Sequence, residues 1–352
     1  MVMGRRPDVP TAPAPIAAMA VFGLTEQIAT TLATVPFRRP WEGSRTVLDN
    51  VGTTVTRQVM RSFMGYATSL ETPEFRSLEV VLDDLCRVVM PPVVRGLGVD
   101  GRGGRLGDVP VLRLRPRGRE PIATICYLHG GGYIGTSPAM YSAFAAWLAR
   151  EACCEVVVAD YRLAPEFPFP AGLLDVVTVY ESLLDEGIDA SRLFVAGDSG
   201  GGGLANSLLL DARAEHLPSP AGLILFSPEV DLELDSPSVS ENAATDILPW
   251  NIPVGPYLHG TDLHDALIDV ADADLAGFPP TFVVFGGREM FRDPIRAFIG
   301  HLESADVEVS VIEEPELFHV YPILMPWLDA SRRAYRGVAG FIADHVEQHQ
   351  AD

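Results

Sequence analysis

From Val111 to the C-terminus the sequence alternates short, apolar, β-rich runs with longer stretches whose apolar residues recur every three or four positions. This rhythm constrains the fold more than any other feature, because strands joined by helices lie parallel and carry helices on their faces. Residues 122–128, 155–159, 193–196, 223–226, 281–285 and 307–312 read as strands, several of them unbroken Val/Ile/Leu runs suited to burial on both sides. Residues 141–150, 173–184, 204–214, 294–302 and 327–345 read as the helices between them. The spacing predicts an α/β architecture with a mostly parallel central sheet flanked by helices. A length of 352 residues accommodates one large domain of this kind with an additional segment.

That segment is sought at two places. The first hundred residues open on a Pro/Ala-rich stretch to about Pro15, followed by helical patterns at 21–32 and 77–90, which predicts a disordered start and a helical cap over residues 1–100. Residues 101–352 form the main domain. Within it, residues 235–275 are rich in Pro, Asp and Asn and interrupt the strand–helix rhythm, and long interruptions in compact domains tend to be functional, so this stretch is expected to complete the cap.

Charge narrows the chemistry. With 26 basic residues against 47 acidic ones, the formal net charge of −21 repels phosphate backbones and anionic lipid, which argues against nucleic acid as a partner. Every basic residue is Arg, so Schiff-base lysines, pyridoxal-phosphate anchoring and a Walker A loop are excluded. Cys86, Cys126, Cys153 and Cys154 show no C-x-x-C spacing and read as buried free thiols of a reducing compartment. The apolar stretch 12–33 is interrupted by Pro13, Pro15, Glu26 and Gln27, whereas a membrane-spanning helix needs about 20 consecutive apolar residues. A cytoplasmic protein without stable membrane insertion is expected, and the apolar 21–32 pattern leaves a homo-oligomer open.

Two motifs carry chemistry. Gly197-Asp198-Ser199-Gly200-Gly201 places G-x-S-x-G directly after an apolar strand and before a helical pattern, the setting in which a serine hydroxyl projects from a sharp turn above a sheet. His129-Gly130-Gly131-Gly132-Tyr133 follows the strand at 122–128 and does not fit the dinucleotide pattern G-x-G-x-x-G. Its glycines leave backbone N–H groups open to close approach, as an acyl-transfer enzyme needs for the oxyanion of its tetrahedral intermediate. A serine hydroxyl is inert at neutral pH unless an imidazole takes its proton, so a histidine further along the chain is required. The acidic run from Glu229 to Asp235 has neither interleaved histidines nor a glycine-centred calcium loop, and no metal or other cofactor is expected.

With the loop Asp160-Tyr-Arg-Leu-Ala-Pro-Glu166 and the following Phe167-Pro-Phe-Pro-Ala171, these motifs resemble the hormone-sensitive-lipase-like branch of the α/β-hydrolases, which includes many bacterial carboxylesterases. The similarity runs from about Val111 to the C-terminus. Gly200 departs from the family's frequent alanine, but either residue supplies a backbone N–H. The resemblance implies an α/β-hydrolase fold with a helical cap, Ser199 as nucleophile, and Gly131, Gly132 and Gly200 as oxyanion donors. It places the catalytic histidine just after the last strand, at His319. For the acid, Gly286-Gly-Arg-Glu289-Met-Phe-Arg-Asp293-Pro offers two carboxylates; aligning the strand end and Gly287 with the family's aspartate pattern assigns Glu289, with Asp293 as the other candidate. Asp160, Arg162 and Glu166 are expected to brace the loop beside the elbow by ion pairing, and Asp198 to give a supporting hydrogen bond.

The expected reaction is cofactor-independent hydrolysis of small to medium apolar carboxylic esters through an acyl-enzyme, with lactone or amide hydrolysis by the same residues, or a receptor that has given up catalysis, as alternatives. Pocket residues are sought among Met19, Phe22, Phe63, Tyr133, Trp250 and Tyr257.

Overall fold

A computed structural model describes residues 9–34, 46–249, 254–270 and 273–351, with side chains to residue 347. Eight strands form one sheet: β1 (Val99–Leu106), β2 (Val109–Pro116), β3 (Thr124–Leu128), β4 (Glu155–Ala159), β5 (Leu193–Asp198), β6 (Gly222–Phe226), β7 (Thr281–Gly286) and β8 (Val309–Glu314). Their order is β1-β2-β4-β3-β5-β6-β7-β8, with β1 and β2 antiparallel and every pair from β4 to β8 parallel. The helices are α1 (Ala14–Thr34), α2 (Val47–Ala67), α3 (Thr72–Gly96), α4 (Pro138–Ala152), α5 (Ala171–Asp185), α6 (Gly200–Ala214), α7 (Pro237–Asn242), α8 (Gly255–Leu258), α9 (Arg292–Ser304), α10 (Tyr321–Leu324) and α11 (Asp329–Ala351).

The inner strands lie where the apolar runs predict. Residues of β3, β5, β6 and β7 are buried throughout, so each strand feeds both faces of the sheet. One face packs Phe144, Phe226 and Tyr335 beneath α4 and α11. The other packs Val195, Leu208 and Phe298 beneath α6 and α9.

Three departures from the sequence reading have identifiable causes. The β1–β2 hairpin begins before Val111, and its first strand, Val99-Asp-Gly-Arg-Gly-Gly-Arg-Leu106, is masked by glycines of low strand propensity. Helix α2 is rich in β-branched residues and glycine, so its helical pattern is weak, yet the Thr46 hydroxyl caps it by accepting from the Asp49 N–H at 3.2 Å. Helix α1 is continuous because Pro15 sits in its first turn, where a missing N–H costs nothing. By length and a mean hydropathy of 1.4 this helix is apolar enough to cross a bilayer. Here it lies along α2, with Tyr66 Oη donating to the Ala20 carbonyl at 2.9 Å and Thr31 and Ser62 hydroxyls 2.7 Å apart.

The loop after β4 is braced as its charges suggest, though by partners the sequence does not reveal. Arg162 pairs with Asp175 of α5 at 2.8 Å. Glu166 pairs with Arg76 of α3 at 2.6 Å. Arg76 is 2% exposed and also donates to Glu79 at 2.7 Å, to the Ile134 carbonyl at 2.6 Å and to the Ala164 carbonyl at 2.5 Å. One guanidinium thereby joins the N-terminal helices, the loop after β4 and the glycine loop after β3. Arg76→Met is expected to cost about 3–5 kcal/mol in urea unfolding, because two carboxylates and two buried carbonyls lose their donor. A loss below about 1 kcal/mol would show that the network contributes no net stability.

Candidate active site

The glycine loop, Ser199, Glu289 and His319 follow β3, β5, β7 and β8 in turn, at the carboxyl edge of the sheet where open α/β folds place their ligands. Ser199 adopts φ 50° and ψ −129°, a conformation strained for a residue with a side chain. Backbone crowding enforces the glycines on either side. A methyl group on Gly197 would lie 2.2 Å from the Gly201 carbonyl oxygen, and one on Gly201 would lie 2.2 Å from that of Leu128. The turn is pinned from the next strand, since the Ser199 N–H donates to Phe226 O at 3.1 Å and the Glu229 N–H donates to Ser199 O at 2.9 Å.

The glycine loop is held by Asp198. Its buried carboxylate accepts from the Gly130 N–H at 2.9 Å, from Tyr127 Oη at 2.7 Å and from Tyr141 Oη at 2.8 Å. Desolvation outweighs these donors and pushes the Asp198 pKa up to about 7. Gly131 takes φ 120°, a conformation closed to residues with a side chain, and carries the chain across the serine so that Gly131 and Gly132 line the same cavity as Ser199.

His319 and Glu289 are fully or almost fully buried, with His319 Nδ1 4.0 Å from Glu289 Oε2. Nδ1 and the second carboxyl oxygen, Oε1, both lack a hydrogen-bond partner among the described residues. Burial lowers the imidazole pKa to about 3, which keeps the ring neutral at neutral pH. Burial, and then the charge of Asp246, raises that of Glu289 well above the usual carboxylate range. Asp293 is placed differently: it lies in the first turn of α9, paired with Arg292 at 2.8 Å and accepting the Ser238 N–H at 3.0 Å.

Two residues that the sequence reading missed hold these loops together. Ser227 Oγ donates to Glu289 Oε2 at 2.7 Å and accepts the Val320 N–H at 3.0 Å. Asp246, inside the irregular 235–275 stretch, is fully buried and accepts the N–H groups of His319 at 3.0 Å, Met290 at 2.7 Å and Ile247 at 2.7 Å. Its own carbonyl accepts from Arg61 of α2 at 3.0 Å. The only sequence signal for Asp246 is an acid among apolar neighbours, in Asp246-Ile-Leu-Pro249.

The cavity over Ser199 encloses about 370 Å³ between α2, the glycine loop, residues 247–249 and α10. Met60, Phe63, Met64, Phe144, Leu248 and Ile323 supply its apolar wall. Of the expected pocket residues, Phe63 lines it. Tyr133 and Tyr257 do not: their buried rings stack on each other at 3.9 Å between centroids, because the glycine loop turns the Tyr133 side chain away from the cavity. Met19 and Phe22 are exposed on α1 and do not line it, and Trp250 lies outside the described residues.

Buried carboxyls give folding stability a pH dependence. Asp198, raised to about 7, binds a proton in the native state near pH 6.5 that the unfolded chain, with an ordinary carboxylate pKa, does not. Stability from this group is therefore fully present below the unfolded carboxylate pKa of about 4 and is lost progressively as the pH rises to the folded value of about 7. The urea midpoint should fall between pH 5 and pH 7, and Asp198→Asn should make that fall smaller; an unchanged fall would place the titration elsewhere.

Comparison with known proteins identifies the family. Residues 125–323 match the family described as alpha/beta hydrolase fold. An acetyl-hydrolase of Streptomyces hygroscopicus is 35% identical over 228 residues, covering 64% of this chain and 76% of that protein. The carboxylesterase NlhH of Mycobacterium tuberculosis is 33% identical over 240 residues, covering 64% and 74%. Among solved structures, a hormone-sensitive lipase from a metagenome library superposes with a TM-score of 0.74 at 30% identity, covering 83% of this chain and 98% of that one. An esterase of the bacterial hormone-sensitive lipase family gives a TM-score of 0.69 at 26% identity, covering 96% and 100%. With a serine at the strand–helix turn, a glycine loop beside it and a buried histidine after the last strand, this chain belongs to the hormone-sensitive-lipase-like esterases of the α/β-hydrolase family, and it is a serine hydrolase of the carboxylesterase type.

Proposed function

We propose that the enzyme hydrolyses small to medium apolar carboxylic esters with Ser199 as nucleophile, His319 as general base and acid, and Glu289 as the residue that orients the imidazole. The convergence of Ser199, His319, Gly131 and Gly132 on one apolar cavity, with Glu289 buried behind His319, carries this reading. His319 takes the hydroxyl proton as Ser199 attacks the ester carbonyl. The N–H groups of Gly131, Gly132 and Gly200 receive the oxyanion. His319 then protonates the departing alcohol, and water repeats the sequence on the acyl-enzyme, releasing the acid. The imidazolium formed at each step meets the Glu289 carboxyl, whose Oε2 lies 4.0 Å from Nδ1. Glu289 performs this without taking the proton.

The cavity sets the substrate scale, since about 370 Å³ bounded by Met, Phe, Leu and Ile side chains favours short acyl chains. Helix α2 and residues 247–249 act as its cap. Ser199→Ala or His319→Ala should lower kcat on p-nitrophenyl butyrate by at least about 10⁴-fold with the circular dichroism spectrum unchanged. Glu289→Gln should lower it by about 10³–10⁴-fold, and Asp293→Asn by less than tenfold. Comparable losses in both acid variants, or a larger loss in Asp293→Asn, would move the orienting role away from Glu289.

A further inference from the structure

One polar group in the cavity wall has no place in the esterase mechanism. Glu229 follows β6 and is 2% exposed, and its side chain lines the cavity over Ser199. Its Oε1 atom is buried without a hydrogen-bond partner among the described residues. The other polar side chains of the wall away from the reacting set are engaged: Tyr141 with Asp198 at 2.8 Å, Thr136 with His129 at 2.8 Å and Thr68 with the Met64 carbonyl at 2.9 Å. A buried carboxyl oxygen left unpaired in an apolar cavity is a cost to the fold, and a ligand that meets it recovers that cost.

The position of Glu229 says which part of a substrate would meet it. A methyl group built on Gly200 would lie 3.3 Å from Glu229 Oε2, 3.2 Å from the Tyr133 nitrogen and 3.3 Å from Gly132 Cα. The carboxyl therefore borders the proposed oxyanion donors. In the mechanism above, the alcohol oxygen of the ester must face His319 to be protonated, so the substituent left to extend toward Glu229 is the acyl chain. Burial, and then Asp231, raises the Glu229 pKa to about 8. At neutral pH the side chain is thus a carboxylic acid, able both to donate and to accept.

We propose that Glu229 is a specificity-determining residue that hydrogen-bonds a hydroxyl or carbonyl group on the acyl chain near the ester, so that hydroxy- or keto-acyl esters are preferred over plain alkanoates. This rests on the esterase reading of the site and adds a polar contact to an otherwise apolar acyl pocket. Sites built to bond a substrate hydroxyl discriminate against the analogue lacking it, because the protein group is then left unpaired.

The test compares kcat/KM for p-nitrophenyl 3-hydroxybutyrate and p-nitrophenyl butyrate at pH 7 in wild type, Glu229→Gln and Glu229→Met, corrected for spontaneous hydrolysis. Wild type should favour the hydroxy ester by about tenfold or more. Glu229→Gln should keep most of that preference, and Glu229→Met should favour butyrate. The substrate ratio is independent of the amount of active enzyme, and wild type decides by itself should Glu229→Met fail to fold. A wild-type ratio at or below one, or a preference unchanged in Glu229→Met, overturns the proposal. A Glu229-dependent preference found only for 2-hydroxyethyl butyrate over propyl butyrate overturns the placement on the acyl side. Absence of turnover of both p-nitrophenyl esters by wild type, or turnover persisting in Ser199→Ala, strikes the esterase mechanism and not the role of Glu229.

Discussion

A serine held in an unfavourable backbone conformation depends on everything around it being unable to move. At φ 50° and ψ −129°, Ser199 would relax if the turn had room, and the close approach of Gly201 to the carbonyl of Leu128 denies it that room. The same contact sets the start of α6 against the end of β3, where the glycine loop begins. Asp198, between them, takes one donor from that loop and two from the Tyr127 and Tyr141 hydroxyls. The position of the serine hydroxyl and that of the glycine N–H groups thus follow from one packed junction, and a shift in either element displaces both.

The other half of the site is assembled from three separate loops, each held by hydrogen bonds from its neighbours. Ser227 reaches from the end of β6 to both the Glu289 carboxyl and the loop after β8. Asp246 reaches from the cap and gathers the N–H groups of His319 and Met290, the latter immediately after Glu289. Because Arg61 of α2 donates to the Asp246 carbonyl, the helix that supplies Met60, Phe63 and Met64 to the cavity is tied to the backbone that positions the imidazole. The cavity wall and the His319 imidazole therefore share one network. A cap that shifts on binding would alter the 4.0 Å separation of His319 and Glu289 as well as the shape of the pocket.

Local rules reached part of this arrangement. The inner strands announced themselves because burial on both faces demands unbroken apolar runs, and the serine and glycine turns because backbone crowding leaves few alternatives to glycine. Aligning the strand end with the resembled family's pattern favours Glu289 over Asp293, and the structure places the two in different surroundings, one buried near the imidazole and the other at a helix start beside Arg292. Apart from the apolar neighbours of Asp246, little local marked Asp246, Ser227 or Arg76, because the partners that tie them to other loops lie 73, 93 and 90 residues away in the sequence. Tyr133 misled the reading because adjacency to a glycine loop says nothing about which way the next side chain turns. Its ring left the cavity to stack on Tyr257.

Charge separates the inside of the site from its surroundings. Around Ser199 the imidazole is held neutral and the nearby carboxyls of Asp198, Asp246 and Glu229 are all shifted upward by burial, so the cavity opposes charge of either sign. A neutral ester enters such a site at little electrostatic cost. Ester hydrolysis turns that neutral molecule into an acid that ionises as it reaches water, and the surrounding chain carries −21 at pH 7. Once ionised, the product is disfavoured by the desolvating cavity and repelled by the net field, so the same charge distribution that admits the substrate drives out the carboxylate.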